Sequence, residues 1–309
     1  MGGNDISNYL EYQIGQAINL YYPPCLVLFG SIGNMFSFIV HKQQQFRKRS
    51  STVFLSLLAV TDTLMLLLGL LQYWILFNFF PTVLTKAHCK GMFFVVKLFG
   101  NYSHWIVVCF SIDRFIAVQF PIKSNRWSTP EKSKLCLCCV AVIAFFKNLH
   151  YIMTTDFFYD TQKGMPICAF GLKNKASWIT IYQGFEVTVS SILPFTIIFF
   201  CNFMIIRKIH QQQTRKISPQ KMRISSNRDG ITKTLLLVST VFVITTCPLQ
   251  IFRLYFASID VSRSSALTQA QYNLGHNICH KLWYTNNGVN FLLYCWSSKS
   301  FRRNLIKPP

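Results

Sequence analysis

The sequence predicts an all-α membrane protein built as a seven-transmembrane helix bundle. Three observations carry that expectation. Of the 309 residues, 51% are hydrophobic and only 13% are charged, where a soluble chain carries about 25% charged residues. Seven apolar stretches of spanning length occur, at about 20–41, 52–80, 90–119, 133–154, 178–206, 231–258 and 273–296. Isolated strands cannot satisfy their backbone groups in lipid, so these stretches are expected to be helices. The third observation is that the net charge of +21 is sided.

Basic residues crowd the connections after the first, third and fifth stretches and the final tail. They are Lys42, Arg47, Lys48 and Arg49, then Lys123, Arg126, Lys132 and Lys134, then eight between Arg207 and Lys233, then Lys299, Arg302, Arg303 and Lys307. The opposite connections hold six: Lys86, Lys90, Lys163, Lys173, Lys175 and Arg263. The first 20 residues hold none. The positive-inside rule therefore expects an extracellular N-terminus and a cytoplasmic C-terminus, and an odd number of spans requires the same. Such sidedness points to the bilayer, not to nucleic acid. The expected organisation is an extracellular tail over 1–19, a transmembrane domain over 20–296 and a cytoplasmic segment over 297–309.

The elements follow in order. Residues 1–19 lack a basic and an apolar region of signal-peptide type, so the first span is expected to act as its own insertion signal. Within that span lies Gly33-Asn34. The second carries Asp62 midway, after Leu58-Ala59-Val60-Thr61. The third runs from Cys89 to Asp113-Arg114-Phe115. Cys89 and Arg114 are 25 residues apart, roughly 38 Å of helix, the thickness of a bilayer with headgroups. Its sequon, Asn101-Tyr102-Ser103, falls inside the span and is not expected to be glycosylated. The fourth has no tryptophan and carries Lys147, to which the sequence assigns no role. The fifth holds Glu186 and Pro194, and a polar linker over about 208–230 follows it. The sixth contains Phe242, Pro248 and Arg253, and the seventh Lys281, Asn286 and Asn290.

Ionisable groups within a span are costly and point to function. Asp62 among Asn34, Ser103, Asn286 and Asn290 offers one carboxylate and neutral oxygen donors, which suits a sodium ion. The alternative is a protonated Asp62 that joins helices by hydrogen bonds. Arg114 beside Asp113 makes a pair that can hold in one state and release in another, or it snorkels and anchors its helix. Towards the outer half, Lys97, Glu186, Arg253 and Lys281 sit on four spans among aromatic residues that include Tyr255, Trp283 and Tyr284. Together they form a candidate ligand site for a molecule with acidic or carbonyl-rich groups. The competing reading pairs Glu186 internally with Lys97 or Arg253 and lets the remaining lysines snorkel. Cys89 and Cys168 both fall on the oxidising face, where they form a bridge or stay unpaired. His276 and His280 have a zinc-like spacing but no third ligand, which favours packing. No catalytic triad, phosphate loop or paired carboxylate supports an enzyme.

Taken together these positions resemble the rhodopsin-like (class A) G-protein-coupled receptors over about residues 20–305. Asn34, Leu58 to Asp62, Asp113-Arg114-Phe115, Pro194, Phe242 with Pro248, and Asn290-Phe291-Leu292-Leu293-Tyr294 each match a family motif in order. The resemblance implies a short amphipathic eighth helix from Phe301-Arg302-Arg303, a switch built on Phe242, Pro248, Asn290 and Tyr294, a ligand that enters from outside, and a heterotrimeric G protein as partner. It implies a plasma-membrane location and no catalytic activity. Phe291 replaces the motif's proline, Thr246 its sixth-helix tryptophan and Asn202 its fifth-helix tyrosine. The Asn-Phe pair, the tryptophan-free fourth span and the run Ser111 to Val118 followed by Pro121 are similar to invertebrate FMRFamide and myosuppressin receptors. A short peptide is the expected ligand, with a small molecule or chemosensory cue as the alternative and a channel or transporter behind both. An amine is disfavoured, because Lys97 stands where the third span would need an aspartate.

Overall fold

The computed structural model describes residues 6–43, 49–80, 85–160, 165–170, 182, 184–213, 219–256, 259, 261 and 264–306; side chains are described outside 156–167, 169–170, 212–213 and 219–229. Among the described residues seven long helices form the bundle. Six are long and apolar enough to cross a membrane: Leu10–Lys42, Ser50–Asn78, Lys86–Gln119, Pro130–Thr154, Gly184–Gln211 and Gly230–Phe256. The last of these is the apolar part of a longer helix, Pro219–Phe256. The seventh, Ala266–Ser297, is as long but buries Asn277, Lys281, Asn286, Asn287 and Asn290. A short helix, Pro121–Trp127, follows the third span, and Lys299–Ile306 forms the expected amphipathic eighth helix. Its Phe301 is buried against Tyr294 and His41 while Arg302 and Arg303 are exposed.

Local chemistry sets the starts. Thr85, Thr129 and Ser265 each accept a hydrogen bond from the backbone N–H three residues on, at 3.3, 3.4 and 3.2 Å, which caps the third, fourth and seventh helices. Pro130 occupies the first turn, where its missing N–H costs nothing. The second and fifth helices each contain a π-helical turn, Met65–Leu71 and Thr188–Ile192.

Several boundaries differ from expectation. The 1–19 tail is helical from Leu10, ten residues before the predicted span. The seventh helix also starts early, at Ala266, and the two extensions hold each other: Asn277 Nδ2 donates to the Gly15 carbonyl at 3.3 Å. The polar linker over 208–230 is mostly helix, since the fifth helix runs to Gln213 and the sixth begins at Pro219. Between the fourth and fifth helices a hairpin appears, β1 (Thr155–Asp160) antiparallel to β2 (Met165–Phe170), with Phe157 opposite Cys168. Arg47, Lys48, Lys163, Lys173, Lys175, Arg215, Lys216, Arg263 and Lys307 lie outside the described residues.

Packing is inverted relative to a soluble protein. Phe29, Phe199 and Ile143 point outward at 73%, 74% and 67% exposure, whereas Asp62, Asn34 and Asn290 are buried. Apolar residues face outward because lipid is no less apolar than a protein core. The first helix packs on the seventh and second, the fifth on the third, and the sixth on the seventh. A Cβ on Gly30 would stand 2.9 Å from the Gly288 Cα; only two glycines let the first and seventh helices approach that closely. Gly33 likewise makes room for Phe291, whose Cβ would be 2.9 Å away. With Phe291 in place of proline the seventh helix runs unbroken. Asn101, the sequon asparagine, is buried and donates to Asn148 Oδ1 at 2.8 Å.

Candidate functional site: a charged cluster at one end and an ion pair at the other

A disulfide joins Cys89, in the first turn of the third helix, to Cys168 on β2, with Cα atoms 5.5 Å apart. It ties the hairpin to the mouth of the bundle and marks one end of the molecule.

Beneath it lies the charged cluster. Glu186 accepts a hydrogen bond from Lys147 Nζ at 2.7 Å on Oε2, and Lys97 Nζ stands 3.6 Å from Oε1. Lys147 also donates to Ser190 Oγ at 2.8 Å, and Lys97 lies 5.3 Å over the ring of Tyr151. Third, fourth and fifth helices are thus joined through one carboxylate. His150 bonds Tyr182 and donates from Nδ1 to the Lys147 carbonyl at 2.8 Å, which steadies the end of the fourth helix. Across the bundle, Arg253 lies within electrostatic reach of Glu186, Tyr151, Tyr272 and Tyr284. Lys281 is buried, its Nζ 6.0 Å from the Tyr73 ring centre.

The expected ligand set is therefore split. Lys97, Glu186, Lys281 and Tyr284 sit in the bundle at this end, and Arg253, itself exposed, lies within electrostatic reach of Glu186 and Tyr284. Trp283 lies deeper, where its ring covers Gly100 and meets His104 edge-on at 6.4 Å. Tyr255 does not belong to the set: it is 67% exposed and turned off the outside of the sixth helix, edge-on to Phe256. Lys147, Ser190, Tyr151 and Tyr182 were missed. Lys147 was recoverable from the sequence, because Glu186 is the only acid in the corresponding halves of the predicted spans and a lysine inside a span needs such a partner. His276 and His280 stack on each other at 5.4 Å as parts of an aromatic column with Tyr272 and Trp283. Among the described residues no group of three metal-ligating side chains occurs.

Midway, Asp62 is fully buried and accepts from Ser103 Oγ at 2.8 Å and Asn290 Nδ2 at 2.7 Å. Asn286 contributes its backbone carbonyl, which accepts from Asn290 at 3.3 Å. Asn34 turns instead to the Asn287 carbonyl at 2.9 Å. Phe242 is buried beside His104 and Phe195, with ring centres 4.8 and 5.6 Å apart. His104, which the sequence reading passed over, also donates from Nδ1 to the Ser190 carbonyl at 3.0 Å. It links the charged cluster to Phe242 and Trp283. Six residues beyond Phe242, Pro248 interrupts the sixth helix's hydrogen bonding.

At the other end Asp113 holds Arg114. Arg114 Nε and Nη2 donate to Asp113 Oδ2 at 3.0 and 2.5 Å. Ser50 Oγ donates to the same oxygen at 3.0 Å, Arg114 Nη2 reaches Ser50 Oγ at 2.9 Å, and Ser128 bonds Asp113 Oδ1. Both carboxylate oxygens are occupied. Nearby, the Tyr294 hydroxyl and Asn202 Oδ1 are buried without hydrogen-bond partners among the described residues, while Asn202 Nδ2 donates to Ser239 Oγ at 2.7 Å.

Comparison with known proteins gives the same picture. The chain is 26% identical to mouse neuromedin-U receptor 2, with 99% of this chain and 80% of the relative covered. It is 25% identical to mouse somatostatin receptor type 2, with 98% and 79% covered. It is 23% identical to mouse C-C chemokine receptor type 7, with 93% and 73% covered. Residues 33–294, which span Asn34, Asp62, Arg114, Pro248 and Tyr294, match the family described as 7 transmembrane receptor (rhodopsin family), and the chain belongs to that family of multi-pass membrane receptors.

Proposed function

We propose that the protein is a plasma-membrane receptor for a short extracellular peptide, and that it activates a heterotrimeric G protein. The carrying observation is that one helix, Lys86–Gln119, bears the disulfide and Lys97 at one end and the Asp113–Arg114 pair at the other. In this reading the N-terminus and hairpin are extracellular and the basic end faces the cytoplasm. A peptide enters beside the hairpin and contacts Lys97, Glu186, Arg253, Lys281 and Tyr284. Trp283, His104 and Phe242 pass the displacement to the sixth helix, which swings about Pro248. Arg114 then leaves Asp113 and meets the G protein, whose binding strengthens ligand binding reciprocally. The relatives' names, which include neuromedin-U, somatostatin and chemokine receptors, support a peptide. The FMRFamide and myosuppressin subgroup rests on Asn290-Phe291, the tryptophan-free fourth span and the third-helix run alone.

Asp62 fits a sodium ion in part. Its carboxylate and Ser103 Oγ supply oxygen, but Asn290 turns its amide nitrogen towards Asp62 and would have to rotate to offer its oxygen. The ion's role in this reading is to favour the resting state.

Expression with a promiscuous G protein, with calcium recorded while amidated short peptides are applied, tests the proposal. A response that Arg114→Ala abolishes at unchanged surface expression is expected. Peptide responses that survive Arg114→Ala would remove the switch from the account.

A further inference from the structure

One face of the seventh helix carries a column of rings. Tyr272, His276, His280 and Trp283 follow one another at intervals of four, four and three residues, a spacing that keeps them on one side of a helix. Successive ring centres lie 6.1, 5.4 and 6.0 Å apart, with planes within 20° of parallel, an offset-stacked arrangement that aromatic rings favour. The column is roughly 16 Å long at helical rise. At its outer end Tyr272 and His276 meet Phe252 of the sixth helix at 5.3 and 6.1 Å. At its inner end Trp283 covers Gly100 of the third helix and meets His104, whose ring lies 4.8 Å from that of Phe242.

This column faces the inside of the bundle and is not sealed. Leu267, Ile278 and Leu292 mark the outward, exposed side of the same helix, and at 3.6 residues per turn they stand about half a turn away from the four rings. Each ring of the column nevertheless keeps part of its surface open, whereas His104, Phe242 and Tyr284 around its inner end are buried. Surface left open on an inward face is room for a ligand group. The wall there consists of a phenol, two imidazoles and an indole, with the Phe252 ring beside them. Such a wall takes a flat aromatic group, which gains ring–ring contact beyond the area it buries.

Resting on the peptide-receptor reading above, we propose that the column is the seat for an aromatic side chain of the ligand (phenylalanine, tyrosine or tryptophan), held against His276 and His280 beside Phe252. The receptor then reads the ring itself and not only its bulk. A ring in this seat also touches a continuous line of side chains, His280, Trp283 and His104, that ends on Phe242.

The test uses the purified full chain in lipid nanodiscs and reads melting temperature, which a ligand raises by binding the folded state. The probes are mixtures of amidated tetrapeptides in which each position in turn is fixed as phenylalanine, cyclohexylalanine or leucine, and the single-residue probe N-acetylphenylalaninamide. Cyclohexylalanine keeps the bulk of phenylalanine and loses its ring electrons. The variants are His276→Leu and His280→Leu, which break the column, and His276→Phe and His280→Phe, which keep its rings. Tyr272→Leu, at the outer end, replaces either Leu variant that does not fold. Expected is stabilisation by one phenylalanine mixture corresponding to binding roughly 2- to 12-fold tighter than its cyclohexylalanine counterpart. That preference should disappear in the Leu variants and persist in the Phe variants. Stabilisation by N-acetylphenylalaninamide alone, with the same pattern across the variants, supports the seat and removes the peptide reading. Phenylalanine mixtures that stabilise no better than cyclohexylalanine mixtures overturn the seat and leave the peptide reading standing. A preference that survives the Leu variants puts the ring elsewhere, and one lost in the Phe variants makes the imidazole nitrogens the recognition groups; either overturns the proposal. The absence of stabilisation by every probe overturns it as well.

Discussion

Replacing Lys147 with glutamine should destabilise the bundle through Glu186. The substitution keeps most of the side-chain length but removes the charge and the 2.7 Å contact to Oε2. Breaking a buried pair by deleting one partner costs about 3–5 kcal/mol, because the other charge is left unpaired. Here the cost is smaller, since Glu186 keeps Lys97 at 3.6 Å and the Lys147 and Glu186 side chains retain 15% and 12% exposure. A loss of about 1–3 kcal/mol is therefore expected. In the purified chain, with an unfolding entropy of about 0.65 kcal/mol/K for 309 residues, this corresponds to a fall of roughly 2–5 °C in melting temperature. The assay is thermal unfolding in one detergent at one scan rate, run for Lys147→Gln, Glu186→Gln and the double variant. Because the groups share one contact, the double variant should lose clearly less than the sum of the singles. Strict additivity, or an unchanged melting temperature in Lys147→Gln, would refute the view that this pair holds the third, fourth and fifth helices together.

Three further outcomes are expected. Cys89→Ser and Cys168→Ser should each reduce surface expression and ligand response to the same level, with no further loss in the double variant; unequal or additive losses would argue against one shared bridge. Gly30→Val should lower the melting temperature by an amount equivalent to about 1–3 kcal/mol, since its Cβ already meets Gly288 and Leu66 at 2.9 and 2.7 Å, whereas Gly91→Ala, with nothing within 4 Å, should have little effect. Agonist affinity should fall as sodium replaces a large organic cation at constant ionic strength, and Asp62→Asn should remove that dependence; a dependence that persists would leave Asp62 as a hydrogen-bond hub alone.

The helices and the inner pair were legible because each rests on a local rule. Spanning length and charge sidedness locate the helices, and Asp113-Arg114 are neighbours in sequence. The helix ends were not legible, because Leu10 and Ala266 become starts only when Gly15 meets Asn277 across 262 residues. Tyr255 was misplaced for a related reason: its position on the sixth helix shows that it lies near Arg253, but only packing decides which of the two turns inward. The role of Lys147 needed its partner from another helix. His104 was passed over because one histidine in an apolar span carries no motif, and its meaning comes from Phe242, Trp283 and Ser190 converging on it.

The row of buried asparagines and Lys281 on the last helix has a consequence for how the protein is made. Each of these groups raises the cost of moving that segment from the translocon into lipid alone, and Lys281 adds part of the about 2.5–3.5 kcal/mol that a lysine costs at the membrane centre. Three of the asparagines find partners on the first two helices, Asn277 at the Gly15 carbonyl, Asn287 through its backbone carbonyl at Asn34, and Asn290 at Asp62, and those helices are synthesised long before. Membrane integration of the final segment is thus coupled to prior assembly of the earlier ones, and a defect near Gly30 or Asn34 would surface as a topology failure at the far end of the chain.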